Sequence, residues 1–231
     1  MPNLDINLFK TTAVSAFSRQ TMPAGTNRDT FNTYLGQIGQ CIGTALDQWR
    51  QRTVLQGAII AGPIVSGGRL VGPLLDPLIR GANPPGNWAA YNTAIAAGVH
   101  NQFHQMLALA IVPGLAWYPQ FAAWPGPVAP PQPARPEKLL TLCMPGLALV
   151  DPGAVKQAIV QKFGHNKPPC AEGVAQAVAD GLNKALMPWL STNLLHNVMG
   201  GGPVPTFCPP MVPVGPVVGG LAQQVGPGNI R

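Results

Sequence analysis

Apolar residues recur every three or four positions from Asp29 to Ile60. Phe31, Tyr34, Leu35, Ile38, Cys41, Ile42, Ala45, Leu46 and Trp49 share one helical face, while Gln37, Gln40, Thr44, Asp47 and Gln51 lie elsewhere. The stripe broadens through Val54, Leu55, Ile59 and Ile60. Gly62-Pro63-Ile64 closes the run, because proline disfavours helical geometry in the residue before it. The pattern predicts one long helix, capped by Asn27 or Asp29. A second helix follows an Asn87 cap, with Trp88, Tyr91, Ile95, Val99, Phe103, Met106, Leu107 and Ala110 inward and Pro113-Gly114 as its stop. Asp151-Pro152 starts a short helix with Val155, Ile159 and Phe163 inward and Gly164 as its stop. The last long run, Ala171 to Met199, aligns Val174, Val178, Leu182, Ala185, Leu186, Trp189, Leu190, Leu194 and Val198.

The first and last runs match each other. Trp189 lies 140 residues after Trp49 (189 − 49), and at that offset Ala45-Leu46 meets Ala185-Leu186, Ile38 meets Val178 and Ile42 meets Leu182. Gly62-Pro63-Ile64 likewise meets Gly202-Pro203-Val204. Shared helical period explains the apolar matches but not the coincident tryptophan and Gly-Pro. The reading is a duplicated helix-plus-extended-tail unit, with Trp49, Trp189, Pro63 and Pro203 as the repeat core. A third string, Gly126-Pro127-Val128, follows the second helix without the tryptophan register.

Between the helices the chain is rich in glycine and proline. Residues 1–27 read as an N-terminal arm, residues 28–136 as a first helical repeat with an aromatic, proline-rich arm, and residues 137–231 as a second repeat with a proline-rich tail. The segment 115–131 holds Trp117, Tyr118, Phe121 and Trp124 in an uncharged, proline-rich setting. It reads as a docking arm whose aromatics anchor on a partner, or as a lid folded over the helices of its own chain. Phe207 is the corresponding anchor in the tail. The expected fold is mainly α: amphipathic helices with an internal duplication, wrapped by long Pro/Gly-rich extended arms.

Composition sharpens this picture. The 231 residues include 27 Gly and 27 Pro, yet only 10% are charged and 46% are hydrophobic, which opposes the signature of disorder. The formal net charge is +6. The basic residues are scattered rather than clustered around aromatics, so no specific nucleic-acid partner is expected. The apolar runs Met106–Tyr118 and Thr53–Val65 are broken by Pro113-Gly114 and Gly62-Pro63, and neither reaches the roughly 20 residues of a membrane span. The opening Met1-Pro2-Asn3-Leu4-Asp5 lacks the basic and apolar regions of a signal peptide, which predicts synthesis in the cytoplasm.

Candidate chemistry is sparse. His100 and His104 are one helical turn apart, but a metal site needs further ligands, and His165 and Cys170 are poorly spaced to supply them. Cys143 and Cys208 sit in apolar contexts without an activating neighbour, and Ser66-Gly67-Gly68 lacks the Lys-Ser/Thr of a phosphate loop. The expectation is no enzyme, no cofactor and no metal.

In overall style the chain resembles minor structural proteins of tailed bacteriophages and contractile injection machines, which are charge-poor, helical and threaded by proline arms. The resemblance is compositional and carries no motif, so no site residue follows from it. It implies a virion or tail-like component, at a baseplate, collar or tube junction, that locks other structural subunits and further copies of itself in place. The alternative is a membrane-active protein, pore-forming or interfacial.

Overall fold

The computed structural model describes residues 3–82, 84, 86–165, 167–208 and 214–231. Pro85 of the expected connector, Met1 and Pro2 of the expected arm, and Pro209, Pro210 and Pro213 of the expected tail lie outside the described residues. In chain order the elements are α1 (Ile6–Ser18), α2 (Arg28–Arg52), β1 (Val54–Ala61), β2 (Ile64–Val71), α3 (Leu75–Gly81), α4 (Ala89–Leu109), β3 (Val112–Ala116), a 3-10 turn (Pro119–Ala122), β4 (Val128–Pro133) and β5 (Glu137–Lys138). There follow α5 (Leu139–Cys143), a 3-10 segment (Met144–Val150), α6 (Pro152–Phe163), α7 (Ala171–Thr192), β6 (Leu194–Leu195), β7 (Val198–Pro203) and β8 (Val218–Gln224).

The fold is mixed α/β, 52% helical and 22% strand with a six-stranded antiparallel sheet; this corrects the expectation of a mainly α chain wrapped by extended arms. The chain divides into two compact units and passes between them five times. One comprises Met1–Trp49, Pro73–Met106 and Gly146–Thr192; the other comprises Arg50–Gly72, Leu107–Pro145 and Asn193–Arg231.

The helical unit is built by the predicted stripes. From Phe31 to Trp49 every apolar residue named for α2 is buried, as are Tyr91, Ile95, Val99, Phe103 and Met106 of α4. Two of the predicted caps form: Asn27 Oδ1 accepts from the Asp29 N–H (2.8 Å) and Asp151 Oδ2 from the Gly153 N–H (3.0 Å), while α4 begins at Ala89, two residues after Asn87. Gly164 ends α6 at φ 63°. Trp49 packs edge-on against Phe103 (5.1 Å between ring centres) and lies 6.4 Å from Trp189. Residues 6–18 are not an arm. Asp5 caps them into a helix by accepting the Leu8 N–H at 2.9 Å, and Phe9, Ala13 and Phe17, four apart, are fully buried. The helix seats on glycines of its neighbours. A Cβ at Gly39 of α2 would lie 2.5 Å from the Phe9 ring, and one at Gly181 of α7 would lie 2.9 Å from the Phe9 carbonyl oxygen.

The sheet unit overturns the reading of Asp29–Ile60 as one helix. Residues 54–61 form β1 instead. Gly57, at φ 72°, is incompatible with a helix interior, and the β-branched Val54, Ile59 and Ile60 suit a strand. Gly62-Pro63 is then a hairpin turn and not a helix stop. Ala61 pairs with Ile64 across it, and Gly62 at φ 59° takes the first central position, as a II′ turn requires. The strand order is β3-β2-β1-β8-β7-β4, every neighbouring pair antiparallel. Alternation then makes β3, β1 and β7 run in the same direction. β3 and β1 follow the long helices α4 and α2, and β7 follows α7 after the two-residue β6.

At the 140-residue offset of the sequence repeat, the end of α2 at Arg52 corresponds to the end of α7 at Thr192. The single residues between helix and strand, Thr53 and Asn193, are both fully buried. Asn193 Oδ1 accepts from the Arg50 guanidinium at 3.3 Å. The repeated element is thus a helix that runs directly into a strand.

Candidate interaction surface

Residues alternate in and out along the strands, with a break at the positive-φ Gly57 of β1 and Gly68 of β2, so the sheet has two faces. The inward positions Leu55, Ala58, Ile60, Val65, Leu70, Val198 and Ala222 are buried. The segment 117–121 closes over them. A Cβ on Gly200 would lie 2.4 Å from Ile60 Cδ1 and 2.7 Å from the Tyr118 ring, so the phenol sits on this inner face against β1 and β7. The Tyr118 hydroxyl donates to the Val198 carbonyl (3.1 Å), and its ring stacks on Phe121 at 4.9 Å. Burial pushes the Tyr118 phenol well above its ordinary value.

This places the aromatics expected to anchor a partner. Trp117, Tyr118 and Phe121 are 3%, 0% and 0% exposed and belong to the core of their own unit. Trp124 and Phe207 are half-buried. Trp124 forms an isolated bridge with Gly215, its N–H donating to the Gly215 carbonyl (2.7 Å) and its carbonyl accepting from the Gly215 N–H (3.0 Å), and the Val217 N–H donates to the Phe121 carbonyl (2.9 Å). The two stretches read as arms therefore bind each other, and the described part of the tail adds β8 to the middle of the sheet. Of the repeat core, Trp49 and Trp189 are buried, Pro63 is half-buried in the hairpin and Pro203 is exposed at the end of β7. Gly126-Pro127-Val128 and Gly202-Pro203-Val204 are brought side by side, since Val128 pairs with Pro203 and the Val204 N–H donates to the Pro127 carbonyl (2.9 Å).

The outward face is where the unusual feature lies. An antiparallel sheet with one packed face ordinarily presents polar residues to water on the other. Here the outward positions include Ile59 (50% exposed), Ile64 (45%), Val128 (61%), Val218 (47%) and Leu221 (64%). Four of them are contiguous, since Ile59 sits opposite Leu221 and Ala61 sits opposite both Ile64 and Val218; Val128 lies on the edge strand β4, opposite Pro203. Arg69 is the one Asp, Glu, Lys or Arg in the six strands. Of twelve exposed large apolar side chains among the described residues, eleven lie in the sheet unit and Leu74 is the other. Beside the ridge runs a groove of about 440 Å³, floored by Gly200, Gly201 and Gly202 and walled by Pro131 on one side and Leu221 on the other. β4 bulges between Ala129 and Gln132, so Pro130-Pro131 lie opposite Gly201.

The remaining chemistry is modest. His100 and His104 stand 5.5 Å apart, and burial together with the His104 charge lowers the His100 pKa. Among the described residues no group of three or more His, Cys, Asp or Glu could hold a metal ion. Burial raises the thiol pKa of Cys41, and that of Cys143 to about 12, away from the thiolate a nucleophile needs. A polar cleft of about 520 Å³ in the helical unit is lined by Thr11, Thr12, Ser15, Arg19, Asp180 and Lys184, among others. No single helix among the described residues is long and apolar enough to cross a membrane.

Sequence reasoning did not reach Ile59, Ile64, Val218, Leu221 or the glycine groove. Neither β1 (VLQGAIIA) nor β8 (VGGLAQQ) alternates apolar with polar residues; the available signals were their short length and the bounding Gly62-Pro63 and Gly226. No family model, no curated protein and no solved structure matches this chain.

Proposed function

We propose that the chain is a non-enzymatic structural or adaptor component of a larger protein assembly, of the virion or tail-like class whose composition it resembles, made in the cytoplasm and incorporated into the particle. The observation that carries this reading is the apolar, nearly uncharged outward face of the sheet. Contiguous exposed apolar area of this kind marks surfaces that bind other proteins. The buried, raised-pKa thiols Cys41 and Cys143 agree with a non-catalytic role. The locking element we propose is the sheet face and not the extended arms, because the described parts of both arms pack within their own unit. Binding of the same face to an anionic membrane is the weaker reading, since Arg69 is the sole cation its strands supply.

The test is site-specific photo-crosslinking in the native particle. A crosslinker at Leu221 or Ile59 is expected to reach other subunits of a co-sedimenting assembly, and one at the exposed Lys162 of the helical unit is not. Equal crosslinking from both positions, or absence of the chain from any particle, overturns the proposal. Flotation with anionic liposomes through the same residues would favour the membrane reading instead.

A further inference from the structure

We propose that the occupant of this sheet face is a second copy of the chain, packed sheet on sheet about a two-fold axis that runs along the strands between β7 and β8. The inference rests on the assembly reading above and names the partner.

Three observations carry it. First, the ridge and the groove are register partners. Leu221 of β8 and Gly201 of β7 are directly opposite each other. Directly opposed residues are about 5 Å apart on one face. A two-fold axis midway between them places the Leu221 of each copy over the other's Gly201, in the groove walled by Pro131 and Leu221; a side chain on Gly201 is excluded there, because its Cβ would lie 2.7 Å from the Ala129 carbonyl oxygen. This is the self-complementarity an isologous contact needs. The same operation sets β1 over β4, so Ile59 meets the Pro130-Pro131 bulge.

Second, charge permits it. A like face repels its copy when it carries net charge, and here Arg69 is the lone charged residue in the strands. It sits on β2, which this axis leaves outside the four-strand overlap, so its guanidinium stays in water.

Third, the sheet edges are closed to the competing mode of self-association. The edge strands β3 and β4 contain Pro113 and Pro130, Pro131 and Pro133, which have no N–H to donate to an added strand. Four overlapping strands, at about 4.8 Å spacing and about 24 Å length, give roughly 450 Å² of projected face per copy. That lies at the low end for specific association, so the free dimer dissociates in the micromolar range or weaker, on the order of 10⁻⁶–10⁻⁵ M.

The experiment is sedimentation equilibrium of the full chain from about 1 to 200 µM, a range set to bracket that affinity. It is paired with photo-crosslinking from residue 221 in a mixture of ¹⁴N- and ¹⁵N-labelled protein. The expected result is a reversible monomer–dimer equilibrium, with mixed-isotope crosslinks from 221 to Met199–Gly202. Leu221→Lys and Ile59→Lys should each weaken dimerisation by at least about 10-fold, because each strands a charge where an apolar side chain was buried. Leu74→Lys, an exposed apolar position of the helical unit, should not. Circular dichroism confirms that the variants fold. A chain that stays monomeric throughout, a dimer indifferent to both lysine substitutions, or crosslinks that map elsewhere each overturn the proposal. If the chain is monomeric alone while residue 221 still crosslinks to other subunits of the particle, the assembly reading stands and the second copy is excluded. If neither occurs, both fall.

Discussion

Tyr118 separates a docking arm from a core element. It is 0% exposed, stacks on Phe121 at 4.9 Å and donates its hydroxyl to the Val198 carbonyl at 3.1 Å. Tyr118→Phe removes one hydrogen bond while the Val198 carbonyl keeps the Ala134 N–H (2.7 Å), a loss of about 1 kcal/mol. Tyr118→Ala also removes the ring from its seat against Ile60 and Gly200 and opens a cavity, which brings the loss to about 4 kcal/mol. Against a total stability of roughly 5–15 kcal/mol that is a large fraction. At about 2–4 °C per kcal/mol for a chain of this size, the melting midpoint should fall by about 10 °C for Tyr118→Ala and about 3 °C for Tyr118→Phe. Guanidinium unfolding followed by tryptophan fluorescence measures both free energies, and calorimetry gives the midpoints. Leu221→Lys in the same assay should stay within about 0.5 kcal/mol of the parent, because its side chain is 64% exposed. A Tyr118→Ala protein as stable as the parent would mean that residues 117–121 do not fill the sheet's inner face, and the docking-arm reading would return.

Four further outcomes follow from the same geometry. Gly39→Ala sets a Cβ 2.5 Å from the buried Phe9 ring and should destabilise by about 1–3 kcal/mol in denaturant titration, whereas Gly81→Ala, with open space around it, should be neutral or stabilise by up to about 1 kcal/mol. Gly62→Ala at φ 59° should cost about 1–2 kcal/mol by the same measurement, because an L side chain strains the hairpin turn. All three tyrosines, Tyr34, Tyr91 and Tyr118, have phenol pKa values raised by burial, Tyr91 to about 12. Unfolded phenols ionise near pH ~10; stability is therefore full below that pH and falls above it, and tyrosinate absorbance should rise together with unfolding. His100, with its pKa lowered, should cost stability as pH drops through and below about 6.5, where the unfolded chain binds the proton more readily; His100→Gln should flatten that acid limb of the stability–pH curve.

Helix stripes were legible because they obey one period for many turns. From Phe31 to Trp49, and from Val174 to Leu190, the residues assigned inward are buried. The N-terminal helix was missed because Phe9, Ala13 and Phe17 make a stripe of only three, flanked by Thr and Ser. The strands were missed for a different reason. β1 begins two residues after α2 ends, with no polar loop between them, so its apolar residues extend the helical stripe by continuity. Only the positive φ of Gly57 distinguishes the two, and a glycine within an apolar run does not announce its φ. The described part of the tail was read as extended, which is locally right for Val218–Gln224, but its pairing with β1 and β7 is non-local and depends on residues more than 150 positions away on one side. No local period encodes that.

The repeated Gly-Pro string changes meaning once the strands are in place. In the first copy it is a hairpin turn, in the last it ends β7, and in the middle it precedes β4. One short motif therefore serves three positions. Only in the first, where Gly62 has φ 59°, does the glycine supply a turn; the other two copies pair with each other, through Val128 with Pro203 and through the Val204 N–H to the Pro127 carbonyl (2.9 Å). A sheet closed at its edges and apolar on one face can grow in one direction alone, by stacking. The exposed apolar surface of the sheet is carried by Ile59 on β1 and Leu221 on β8, with the glycine floor of β7 beside Leu221. Under the assembly reading proposed above, a partner would meet that face with side chains as uncharged as its own.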